Sequence, residues 1–145
     1  MIERPSFVSR RGLYRARVSY ADTDRAQVVH HAAYFRFLEL ARVELWRESG
    51  LSYRAFEEET GWGLPVVEAK VRYRQPARFD DEIEVETWVT EATRASVWFG
   101  GTIRRGNDVL LESQIRLACV SMPAGALRKI PDAILDASLE PGWQV

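Results

Sequence analysis

Two carboxylates and two imidazoles stand together in the run Tyr20, Ala21, Asp22, Thr23, Asp24, Arg25, Ala26, Gln27, Val28, Val29, His30, His31. Directly after it comes a stretch free of Pro and Gly, from Ala32 to Ser49. Such side chains in one loop suit metal binding or proton transfer and nucleophilic attack. The metal option fits poorly. Adjacent histidines seldom hold one ion together, and a calcium loop begun at Asp22 would place Ala33 where a bidentate Glu is required. Hydrolytic chemistry fits better. A helix start offers unpaired N–H groups and the positive end of the dipole, so a carbonyl placed there is polarised while a nearby carboxylate stays ionised. Taken one at a time, Asp22 and Asp24 are nevertheless more commonly Asx-turn or capping residues than catalysts.

The element that must position this loop is a helix. Tyr34, Phe37, Leu38, Ala41 and Leu45 recur at helical spacing, and Phe35, Val43 and Trp46 add apolar surface to other faces, as they would if a sheet wrapped around the helix. Glu39, Arg42, Glu44, Arg47 and Glu48 fill the remaining positions, and Gly50 stands where a left-handed residue ends the last turn. Ser52 caps a second, short helix from Tyr53 to about Thr60, with Glu57, Glu58 and Glu59 as a solvated face. Met1 to Gly12 is an irregular, basic lead-in. Leu13 to Tyr20 alternates as a first strand, with Tyr14, Ala16, Val18 and Tyr20 on one face.

From Leu64 onward the period is two. Val67, Ala69, Val71 and Tyr73 define the buried face of one strand, Ile83, Val85, Thr87 and Val89 of the next, and Val97, Phe99, Gly101 and Ile103 of a third. Gly106, Asn107 and Asp108 turn the chain into a hairpin whose second arm runs from Val109 to Val120, and Pro131 with Asp132 opens a terminal helix through about Ala137. Helices segregated from about five antiparallel strands make this α+β, and Trp88 and Trp98 on the sheet's other face predict association into a homo-oligomer.

The 145 residues predict a single domain, 1–145, burying about 70% of the surface of its unfolded chain. A net charge of −1 gives no reason to expect nucleic acid or an anionic membrane as partner. The single Cys119 excludes an intrachain disulfide and a cysteine-rich zinc site. With no signal-like h-region in Met1 to Ser9 and no long apolar run, the expected location is cytoplasmic.

Tyr20, Asp22, Thr23, Asp24, Val28, Val29, His31 and Tyr34, followed by the E-x-A-R of Glu39 to Arg42 and the P-A-R-F-D-D of Pro76 to Asp81, resemble the hotdog-fold acyl-CoA thioesterases of the 4-hydroxybenzoyl-CoA thioesterase and YbgC type. The resemblance covers nearly the whole chain. It implies one long helix wrapped by a five-stranded antiparallel sheet, dimers that share a continuous sheet and often assemble into homotetramers, and active sites at the dimer interface. It further implies hydrolysis of acyl-CoA to a carboxylic acid and coenzyme A without a cofactor or metal. Asp24 is then the catalytic carboxylate, as nucleophile or general base, and the backbone N–H at about His31 the polarising donor. The His31 side chain either contacts substrate or braces the loop. Val28, His30, Tyr34, Val66 and Val67 are the expected acyl contacts. Lys70, Arg72, Arg74 and Arg78 are either a solvated strand face or partners for the coenzyme A phosphates. Acyl carrier protein is an alternative carrier, and a hotdog protein that binds acyl thioesters without hydrolysing them is an alternative of another class. One departure stands out: Gln27 occupies a position where such thioesterases usually carry Gly, a residue that tolerates positive φ.

Overall fold

The stretch without Pro or Gly forms the helix its spacing predicts. In the computed structural model, which describes residues 6–145, α1 spans Ala33–Glu48 and buries Tyr34, Phe37, Leu38, Ala41, Leu45 and Trp46. Gly50, at φ +93°, closes it. The short α2, Tyr53–Thr60, starts where Ser52 Oγ accepts the Ala55 N–H at 3.2 Å and stops at the left-handed Gly61.

Eight strands are present among the described residues: β1 (Arg11–Arg17), β2 (Trp62–Gly63), β3 (Val66–Tyr73), β4 (Glu82–Ala92), β5 (Val97–Arg105), β6 (Asp108–Leu117), β7 (Cys119–Ser121) and β8 (Ala126–Arg128). Five form one antiparallel sheet in the order β1-β4-β5-β6-β3, and β2, β7 and β8 form a second, small one. The large sheet wraps α1, with Ile83, Val85 and Val89 of β4, Phe99 and Ile103 of β5, and Leu111 and Ile115 of β6 buried against it. This is the hotdog arrangement. Two glycines let the helix settle onto the sheet: a Cβ on Gly101 would lie 2.7 Å from Leu38 Cδ2, and one on Gly12 would lie 2.9 Å from Leu45 Cβ. The terminal helix α3, Asp132–Ser138, is tied to α1 by Trp46 Nε1, which donates to Ser138 Oγ at 2.9 Å.

Four details differ from the sequence-based expectation. The first strand ends at Arg17, because Ser19 and Asp22 close a capping box over a single 3₁₀ turn, Tyr20–Asp22. Tyr20 is thereby turned out to 75% exposure, stacked on Phe79 with ring centroids 3.9 Å apart. The buried face predicted for β3 is largely open, with Val67 47% exposed and Tyr73 also exposed. Among the described residues this strand has only β6 as a neighbour, and the register slips between Val66 and Glu68. The arm expected from Val109 to Val120 breaks at Ala118 and changes sheet. The small sheet has no counterpart in the sequence pattern, because its strands are too short to show a period.

Candidate active site

The polar loop is a hairpin built on Asp24. Its N–H donates to Val28 O at 3.0 Å, its carbonyl accepts the Gln27 N–H at 3.0 Å, and its Oδ1 accepts the Ala26 N–H at 2.8 Å. This is the pattern of a three-residue loop whose last residue is left-handed, and Gln27 has φ +66°. The departure from Gly therefore keeps the backbone shape that Gly favours, at a conformational cost of about 1 kcal/mol.

The hairpin is held from below by the P-A-R-F-D-D segment. Val29 N–H donates to Ala77 O at 2.8 Å, Val28 bridges Arg78, and Tyr34 Oη accepts the Ala77 N–H at 3.0 Å. Asp81 fixes that segment in turn, accepting from the Arg78 N–H and the Arg105 guanidinium, each at 2.8 Å. Burial raises its pKa, but these donors outweigh it and hold the carboxyl below the usual range.

The two carboxylates of the loop have separate fates. Asp22 is buried and accepts from the Ser19 N–H at 2.9 Å, the Ser19 hydroxyl at 3.1 Å and the Arg36 guanidinium. Burial pushes its pKa up, and the Ser19 and Arg36 contacts together bring it below the ordinary value. Asp24 is exposed. Apart from the Ala26 amide, no donor among the described residues engages its carboxylate.

At the entry to α1, His30 N–H donates to Asp22 O at 2.8 Å, its Nδ1 accepts the Ala32 N–H at 3.2 Å and its carbonyl accepts the Ala33 N–H. The His30 ring thus satisfies the backbone N–H of Ala32, the N-cap residue of α1, a role its sequence position did not suggest. The carbonyl of His31 accepts from Tyr73 Oη at 3.0 Å, and the two rings lie 4.6 Å apart. Burial raises the Tyr73 pKa, with Tyr34 adding to it, so this hydroxyl keeps the proton it donates. The His31 N–H meets no backbone acceptor among the described residues.

Val28, His31 and Tyr34 line one small cavity of about 160 Å³, together with Tyr73 and Pro76. Asp24 sits on the hairpin that carries Val28, bonded to it at 3.0 Å, and is not among the residues that line this cavity. Val66 lies elsewhere, on a larger groove of about 370 Å³ between α1 and β3, and Val67 faces outward. Along the strand face, Arg74 pairs with Glu112 at 2.7 Å and Lys70 with Glu68 at 3.9 Å. Arg128 lies 3.9 Å from the Trp62 ring centroid, beside Arg94 and Lys129 on a surface cavity that composition alone did not reveal.

Residues 18–138 match the thioesterase-like superfamily. The chain belongs to that superfamily. Thioester hydrolysis as the enzyme class follows from the membership. The acyl-CoA thioester hydrolase YbgC of Escherichia coli O6:H1 is 35% identical over 120 residues, covering 82% of this chain and 89% of its own. The acyl-CoA thioesterase YbgC of Haemophilus influenzae is 33% identical, covering 75% and 80%. Among solved structures, a hypothetical protein from Thermus thermophilus superposes with TM-score 0.80 at 34% identity, covering 88% of this chain and 95% of its own. A 4-hydroxybenzoyl-CoA thioesterase mutant complexed with 4-hydroxybenzoyl-CoA superposes with TM-score 0.77 at 23% identity, covering 88% and 98%, and so shares the fold. No helix among the described residues is long and apolar enough to cross a membrane.

Proposed function

We propose that this chain hydrolyses acyl-CoA thioesters with Asp24 as its reacting carboxylate and the His31 N–H as the donor to the thioester oxygen. One observation carries the reading. Of the two acids in the loop, Asp22 is consumed by Ser19 and Arg36, whereas Asp24 keeps a free oxygen beside a helix entry whose His31 amide is unused. Two routes share this geometry. As nucleophile, Asp24 attacks the acyl carbon, the thiolate leaves and takes a proton, and water cleaves the resulting anhydride. As general base, Asp24 takes a proton from water, which attacks directly. Either way, thioester and water give acid and thiol.

The names of the YbgC relatives favour coenzyme A over acyl carrier protein as the carrier. Arg128 and Lys129, with Trp62 beside them, suit a phosphorylated nucleotide, whereas Arg94 on the same surface cavity is paired with Asp132 at 2.6 Å. The paired cations Lys70 and Arg74 suit it less. The non-hydrolytic alternative loses its motive, since Gln27 preserves the loop. Asp24 is exposed and does not line the cavity of Val28, His31 and Tyr34, which supports an acyl site completed by a second protomer at the open edge of β3, where Val66 and Val67 are exposed. A cytoplasmic site of action belongs to the same proposal.

Steady-state hydrolysis of short, long and aromatic acyl-CoAs tests it. Asp24→Asn is expected to lower kcat by about 10²–10⁴-fold with its fold intact. An Asp24→Asn enzyme as fast as wild type sinks the mechanism. Label found in the Asp24 side chain after a single turnover in ¹⁸O-water identifies the nucleophilic route with water attacking the aspartyl carbon of the anhydride, and trapping the acylated Asp24 identifies that route whichever carbon water attacks.

A further inference from the structure

Helix α1 carries a buried cation that no ion pair or side-chain hydrogen bond among the described residues engages. Arg42 is 7% exposed, yet among the described residues it makes neither an ion pair nor a side-chain hydrogen bond. No fully buried side-chain nitrogen or oxygen there lacks a partner, so the guanidinium opens onto the α1/β3 groove that it lines. Burial draws its pKa down to about 10, with Glu39 opposing the shift, and it stays charged at neutral pH. A desolvated charge without a counter-charge is strongly unfavourable. Glu39 lies one turn earlier on the same groove, is exposed, and is likewise without an ion pair among the described residues. Beside both runs β3, whose outer edge pairs with no strand among the described residues.

We infer that Glu39 and Arg42 form reciprocal ion pairs between two copies of this chain, closing the α1/β3 groove across a two-fold axis. In a symmetric interface, if residue i meets residue j of the partner, j meets i. An acid and a base one helical turn apart satisfy that condition when two α1 helices run antiparallel past a point between them, and each Glu39 then faces the other copy's Arg42. The apolar walls Phe35, Val43 and Val66 shield the pairs from water, and the same axis brings the two β3 edges together. This rests on the dimer proposed above but not on any chemistry at Asp24, so association and turnover are read separately.

The test is charge reversal followed by mixing, with sedimentation to measure the dimer Kd and circular dichroism to confirm folding. Glu39→Arg and Arg42→Glu are each expected to raise the homodimer Kd by at least about 100-fold, because like charges then meet twice. An equimolar mixture of the two variants is expected to recover near wild-type affinity as a heterodimer, since both cross-pairs are again acid to base. A pair formed within one chain gains nothing from mixing. Should either variant fold poorly alone, co-expression with one chain mass-tagged and native mass spectrometry give the same comparison. The milder Glu39→Gln and Arg42→Gln then replace the reversals in sedimentation. The inference is overturned if the reversed chains dimerise as tightly as wild type, if the mixed or co-expressed pair forms no heterodimer, or if wild type is monomeric at tens of micromolar. Undiminished dimers with hydrolysis of carboxylate-bearing acyl-CoAs selectively lost in Arg42→Glu would assign Arg42 to the substrate instead.

Discussion

A buried carboxylate stays ionised only if several donors converge on it, and Asp22 has the Ser19 N–H, the Ser19 hydroxyl and Arg36. Its folded pKa lies below its unfolded one, so the stability it contributes is present above about pH 4 and is lost as pH falls through the folded value. Urea midpoints followed from pH 6 to pH 3 are expected to drop for wild type. Asp22→Asn is expected to flatten that drop and to cost about 1.5–3 kcal/mol at neutral pH. A residual slope remains from Asp81, whose shift has the same sign. An unchanged slope in Asp22→Asn would refute the assignment. Composition and spacing alone do not divide the labour between Asp22 and Asp24, because both are small acids in one polar run. Only the motif separates them, and the separation becomes physical once Arg36 and Ser19 are seen around one acid and not the other. Arg42 was illegible for a different reason. Helical periodicity assigns charged residues to water, and here a groove wall covers one.

Elements were legible where both neighbours exist. Strands β4 and β5 are interior, so their inward residues Ile83, Val85, Phe99 and Ile103 are buried as alternation requires. Strand β3 carries an equally clean pattern, but it lies at the edge and slips register, and neither property leaves a mark in the sequence. Gly101 belongs to this scale too, since it sets how closely α1 approaches β5. Gly101→Val would drive a side chain into Leu38 and Ser113 Oγ, each 2.7 Å from the first added carbon. We expect it to destabilise the fold by about 1–3 kcal/mol in urea titration. A loss below a few tenths of a kcal/mol would mean that the helix rides higher than described.

Across the whole molecule, the hotdog architecture followed from the motif and the strand count, whereas the small sheet and the cationic cluster at Arg128 depend on segments too short to announce themselves. The bond from Tyr73 Oη to His31 O spans the two halves of this picture, because Tyr73 is the last residue of the edge strand β3 and His31 stands just before Ala32, the N-cap of α1. An edge strand therefore steadies the turn that presents the His31 amide. Rate per milligram of enzyme should accordingly not be a constant: it should decline on serial dilution through the association midpoint and recover when the sample is reconcentrated. A specific activity that stays level across that range would show that the lone subunit keeps its own turn in order.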